Sequence, residues 1–167
     1  HHLGRLLTLY YFHEESKEIA KRAEQHGEDE DSAAQSVLGL SYRELAIGVA
    51  GSWNFPERIV NSMRELPQDA LRRPQNQVER LRLFANLAGE LLPLVEMPPV
   101  EAAKLMNQVM KRFGTVINAS ERELQESMQD AAERYLQYLS ILGVKQGNSP
   151  FCKQLRRLSK HTEQGSM

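Results

Sequence analysis

Two histidines open the chain, His1-His2, followed by Leu3 and Gly4. Imidazole and carboxylate together can hold a divalent cation and activate a water for phosphoester hydrolysis. The residue after His1 is His2, so the carboxylate that such a pair needs is absent. Two imidazoles also fall short of the ligand count of a catalytic metal site. Paired histidines at a chain's start are, besides, what a purification tag leaves behind. His13, His26 and His161 have no histidine or carboxylate partner in a recognisable ligand pattern and read as solvated surface groups. His26 precedes Gly27, in a last helical turn where a partly cationic ring meets the helix's negative end.

Other reactive types are equally isolated. The run Glu28-Asp29-Glu30-Asp31 lacks the alternation and the glycine of a calcium loop, and at a helix start it complements the macrodipole. Cys152 has no His-Asn or His-Asp frame around it and is expected to pack with Phe151 and Leu155 in a short tail helix. Ser52 and Ser62 lack a nucleophile-elbow context. Gly48 and Gly51 are spaced for close helix packing, and no glycine-rich phosphate loop is present. Lys145, Lys153, Arg156, Arg157 and Lys160 make the tail basic, but with Phe151 as its single aromatic it reads as a solvated linker helix. No metal and no cofactor is expected.

The elements that would position these residues are helices. Gly27, Gly39, Gly114 and Gly143 each follow a segment of helical period, where glycine ends a helix in the left-handed conformation. Ser41 to Glu44 and Ser120 to Glu123 both read as capping boxes. Pro56, Pro74 and Pro99 suit a first helical turn. The punctuation predicts helices over 3–9, 13–26, 29–38, 42–53, 56–66, 75–95, 99–113 and 121–142. Leu81, Phe84, Ala85, Ala88, Leu91 and Leu92 form an apolar face on the sixth. Leu124, Met128, Ala131, Tyr135, Tyr138 and Leu142 form one on the last. Strand-like alternation is missing. The fold class is all-α, a bundle of about seven to eight helices with no sheet. Trp53, the sole tryptophan, is expected to bury at the corner that Pro56 fixes.

A length of 167 residues fits one domain, and 41% hydrophobic with 26% charged residues is the balance of a globular chain. A net charge of -1 gives no electrostatic footprint for nucleic acid or an anionic membrane. No apolar run approaches the roughly 20 residues of a membrane span, and no signal peptide is visible. One cysteine rules out an internal disulfide and fits a cytoplasmic location. Without an initiator Met, the chain reads as part of a larger protein.

Three stretches carry a family resemblance. Val37-Leu38-Gly39-Leu40-Ser41-Tyr42-Arg43-Glu44-Leu45-Ala46, continuing to Trp53-Asn54-Phe55-Pro56 and Ile59, resembles the HDOD family (HD-related output domain). Tyr42 stands where that family often has histidine. The opening His1-His2-Leu3-Gly4-Arg5-Leu6-Leu7 with Tyr10-Tyr11-Phe12 resembles the family's beginning of the same segment. Asn76 to Leu91 resembles the helix that in HD phosphohydrolases carries a metal-closing aspartate, and Gly89 stands in its place here.

The resemblance implies a bundle of the HD-domain-like type over residues 1–144, lacking the usual domain's first helices, with 145–167 as a basic tail or linker. His1, His2 and Gly89 are then degenerate metal positions, and Ser41, Glu44, Trp53 and Pro56 the structural or interaction motif. By resemblance such modules act in bacterial signalling proteins, so the expected function is a non-catalytic output or interaction module, not an enzyme. Expected partners are other signalling proteins or a homodimer formed through the Leu3–Phe12 face, with no nucleic acid and no membrane. The alternative is a metal-dependent phosphohydrolase acting on nucleotides or cyclic dinucleotides.

Overall fold

A computed structural model describes residues 2–67, 69–143 and 150–160. The described residues are all helical or irregular, with no strand among them. They form α1 (His2–Tyr11), α2 (His13–His26), α3 (Glu30–Leu38), α4 (Tyr42–Ser52), α5 (Glu57–Ser62), α6 (Gln77–Leu91), α7 (Pro99–Ile117), α8 (Glu121–Ile141) and α9 (Pro150–Lys160). A 3-10 turn, Leu92–Val95, continues from α6.

Caps set most of these boundaries. The Ser41 hydroxyl accepts from the Glu44 amide while the Glu44 carboxylate accepts from the Ser41 amide at 2.8 Å. Ser120 and Glu123 repeat the arrangement at α8. Asp29 caps α3 by accepting from the Asp31 and Ser32 amides. Gly27 and Gly39 take the left-handed conformation that ends α2 and α3. At the start of α6 the Asn76 side-chain oxygen accepts from the Glu79 amide while the Glu79 carboxylate accepts from the Gln75 amide and the Asn76 side-chain amide, so Pro74 lies outside the first turn it was expected to occupy.

Gly114 does not end a helix. The α7 segment runs on to Ile117, and Asn118 supplies the left-handed cap instead. Phe113 has no exposed surface, so its burial holds the chain helical through the glycine. In the fifth helix the turn closes at Ser62 rather than Leu66, because Arg82 and Asn86 take the carbonyl of Arg64.

The chain divides into two compact units, His1–Leu66 with Gln75–Asn86, and Pro67–Pro74 with Leu87–Met167. In the first unit α1 packs on α4 and α2, α2 on α3, and α3 on α4, which also meets α5. Its core gathers Ile19, Ala33, Ala34 and Tyr42, with Ala23, Val37 and Leu38 against it. Ala46 and Ala50 are fully buried as well. Small side chains let these helix axes approach closely, and Gly4 carries that furthest. A Cβ there would lie 2.9 Å from the Cα of Tyr42 and closer still to its carbonyl group. Gly48 and Gly51, expected to mediate close packing, have nothing within 4 Å of a would-be Cβ. Both lie on parts of α4 that no neighbour approaches.

In the second unit α7 meets α8 and the 3-10 turn, and α9 packs on α8 and the same turn. Met106, Val109 and Phe113 are the buried face of α7; Leu124 and Ala132 are buried on α8 and Leu155 on α9. The apolar face expected on α6 is corrected. Of the expected face Leu91 is buried, together with Leu83 and Leu87, whereas Leu81, Phe84, Ala85, Ala88 and Leu92 are exposed and the Arg80 guanidinium lies over the Phe84 ring. Two stripes of helical spacing coexist on α6, and the leucines at every fourth position are the buried one, Leu83 in the first unit and Leu87 and Leu91 in the second. On α8 the expected stripe is buried only at its start, since Tyr135, Tyr138 and Leu142 are exposed.

Candidate functional site

His1 lies outside the described residues. His2 begins α1 with an exposed side chain. Gly89 is exposed on the last turns of α6, where nothing lies within 4 Å of a would-be Cβ, and it belongs to the other unit. Among the described residues no three His, Cys, Asp or Glu side chains gather as a metal would need. His13 and His26 are exposed at the two ends of α2, and His161 and Lys145 lie outside the described residues.

The acidic run is fully engaged in structure. Asp29 caps α3, and the Ser32 hydroxyl and amide with the Asp31 amide hold its carboxyl below the usual range. Glu30 forms a two-point ion pair with Arg5, at 2.8 Å from the guanidinium Nε, tying α3 to α1. The Asp31 carboxylate accepts from the Tyr42 amide at 3.0 Å, fixing the start of α4. Glu28 lies 3.9 Å from Arg22. Four carboxylates that looked like a cluster therefore serve four separate elements. Tyr42, standing where the related family often has histidine, is 3% exposed. Burial, then the Glu30 charge, pushes its phenol upward from the ordinary value.

The turn after α4 presents two exposed aromatic side chains. Trp53 was expected to be buried, but it is 52% exposed, and Phe55 beside it is 40% exposed. Their rings stand 6.1 Å apart in a tilted arrangement. The reason is positional, because α4 ends at Ser52 and Trp53 projects past the last turn rather than onto a facing helix. Backbone bonds hold the turn rigid: Trp53 donates to Val49, Asn54 to Gly51 and Phe55 to Ala50. Asn54 takes the left-handed conformation at φ 56°, and Pro56 caps α5. Ser41 and Glu44 act at the other end of α4, as its cap.

A second apolar surface lies on α1. Leu7 is buried, but Leu6, Leu9, Tyr10, Tyr11 and Phe12 are exposed, with Tyr10 and Tyr11 edge to face at 4.9 Å. Single exposed apolar groups are ordinary, whereas four on α1 with Phe12 directly after them make a larger exposed apolar stretch. In the tail, Cys152 is half-buried, and Lys153 and Arg157 are exposed.

Sequence reasoning missed Gly4 and the Arg5–Glu30 pair. A glycine within an apolar helix was the available signal for the first, but its partner lies in a different helix.

Residues 1–68 match the HDOD domain family. The match ends two residues beyond the continuous part of the first unit, which closes at Leu66. It takes in the α1, Ser41–Glu44 and Trp53–Pro56 stretches, while the resemblance over Asn76–Leu91 lies beyond it. Comparison with curated proteins and with solved structures found no match.

Proposed function

We propose that this chain is a non-catalytic output or interaction module of a signalling protein, a degenerate relative of the HD phosphohydrolases. The observation that carries this reading is the aromatic pair Trp53–Phe55, held on a hydrogen-bonded turn inside the HDOD segment and left half in solvent. Rigid exposed aromatics supply contact area at little entropic cost and are favoured as interface anchors. The residues at the degenerate metal positions agree with it, since His2 and Gly89 provide no carboxylate. Partners on this reading are other signalling proteins, or a second copy meeting the exposed α1 face in a homodimer. The module works in the bacterial cytoplasm, and no helix among the described residues is long and apolar enough to cross a membrane.

The test is light scattering over a concentration series, with Tyr10→Glu and Trp53→Ala alongside the parent chain. Self-pairing through α1 predicts concentration-dependent dimers that Tyr10→Glu abolishes and Trp53→Ala retains. A chain that stays monomeric throughout refutes the homodimer. Dimers that survive Tyr10→Glu refute the α1 face as its seam.

A further inference from the structure

The second unit holds a cavity that none of the motifs accounts for. It measures about 480 Å³ and lies where the end of α6, the 3-10 turn, α8 and α9 meet. Its lower walls are the well-packed Leu91, Leu124, Ala132 and Leu155, and its mouth is set by Ala88, Ala131 and the ring of Tyr135. That volume falls within the roughly 300–1,000 Å³ of small-molecule sites.

The lining determines what could enter. No charged side chain contributes to it, and its polar groups are the hydroxyls of Ser127 and Tyr135. The Ser127 hydroxyl already donates to the Glu123 carbonyl at 2.8 Å, leaving Tyr135 at the rim as the group able to engage a ligand. On α9 the residues facing the cavity are Phe151, Leu155 and Leu158. At about 100° per residue, Lys153, Arg156 and Arg157 fall on the opposite side of that helix and cannot neutralise a ligand's charge within the cavity. An ionised head group placed there would lose its hydration without compensation.

We propose that this cavity is a binding site for a small, uncharged, largely apolar molecule carrying at most one or two polar atoms, the Tyr135 hydroxyl meeting one of them. Because α9 forms one wall, the occupant bridges α9 to α8 and holds that helix in place. This stands independently of the interaction surfaces on the first unit.

The experiment uses the full 167-residue chain and the neutral fluorophore N-phenyl-1-naphthylamine. Saturable enhancement with one probe per chain is expected. Ala88→Phe and Ala131→Phe change exposed rim positions on two different helices, so each fills the mouth without altering the buried walls. Each should weaken binding by about tenfold or more while the melting transition persists. Val100→Ser, at an exposed position of α7 outside the cavity lining, should leave binding unchanged. Decanol should displace the probe at concentrations where ionised decanoate does not. Non-saturating enhancement, undiminished binding by both filled variants, or loss of binding in Val100→Ser overturns the site. Displacement by decanoate as effective as by decanol overturns the uncharged ligand class. One probe per two chains would make the cavity part of a contact between copies and overturns the proposal as well.

Discussion

Gly4→Ala tests the packing of the first unit through the sign of its effect. Alanine within a helix is favoured over glycine by about 1 kcal/mol, so at an open position the substitution stabilises. At Gly4 the new Cβ would sit 2.9 Å from the Cα of Tyr42 and closer to the carbonyl carbon and oxygen. The obstacle is backbone, which cannot turn aside as a side chain can. It is also pinned, because the Tyr42 amide donates to Asp31. Relief requires α1 and the start of α4 to part by more than 1 Å, an overpacking that costs about 1–3 kcal/mol and sometimes more. With backbone as the obstacle the cost lies at the upper end of that range, so after the helix gain we expect a net loss of about 1–2 kcal/mol, lowering the melting temperature by roughly 2–8 °C for a chain of this size. Gly48→Ala and Gly89→Ala supply controls, since each would-be Cβ meets nothing within 4 Å. Both should stabilise by about 0.5–1 kcal/mol. Urea titration followed by far-ultraviolet circular dichroism measures all three. A Gly4→Ala chain as stable as the parent would refute the close contact of α1 with α4.

Three further outcomes follow from the same structure. Trp53→Ala should cost less than about 1.5 kcal/mol in a denaturant titration, well below the roughly 3–5 of a buried tryptophan, and acrylamide should quench the native fluorescence readily. Leu155→Ala should cost about 2–4 kcal/mol if α9 belongs to the second unit; unchanged melting would make it a detached tail. Ser41→Ala and Ser120→Ala should each destabilise by about 0.5–2 kcal/mol. The same two serines set part of the acid response. Glu44 and Glu123 are held below their ordinary value of 4.5 by amide and hydroxyl donors of Ser41 and Ser120. A depressed folded value means this contribution is present above pH 4.5 and lost as pH falls below it. Alanine keeps the backbone amide, the larger cause, and removes only the hydroxyl, so the double serine variant should show a slightly shallower decline in melting temperature below that point, and a steeper decline would contradict the capping assignment.

What was legible in the sequence was mostly local. A capping box places all its partners within four residues, so Ser41–Glu44 and Ser120–Glu123 could be read directly and the helices they open followed. Choices made by distant neighbours were not legible. The α6 pattern offers two apolar stripes, and only the packing of Leu83, Leu87 and Leu91 decides between them. Trp53 looked like a core residue because it is large and apolar, yet a side chain at a helix end is buried only if another element covers it. Gly114 carried the usual mark of a helix terminus, and the burial of Phe113 beside it overrode that mark. The acidic run was read correctly as structural, but the separate partner of each carboxylate became visible only once α1, α3 and α4 were placed together.

The central claim, that this chain binds rather than catalyses, is tested most directly by hydrolysis in the presence of metal. The full chain, saturated with Mn²⁺, is given bis(p-nitrophenyl) phosphate and a cyclic dinucleotide, and product is followed against metal in buffer. The account predicts release no faster than the protein-free control with either substrate. Turnover that requires the metal and disappears in His2→Ala would contradict it and restore the phosphohydrolase reading.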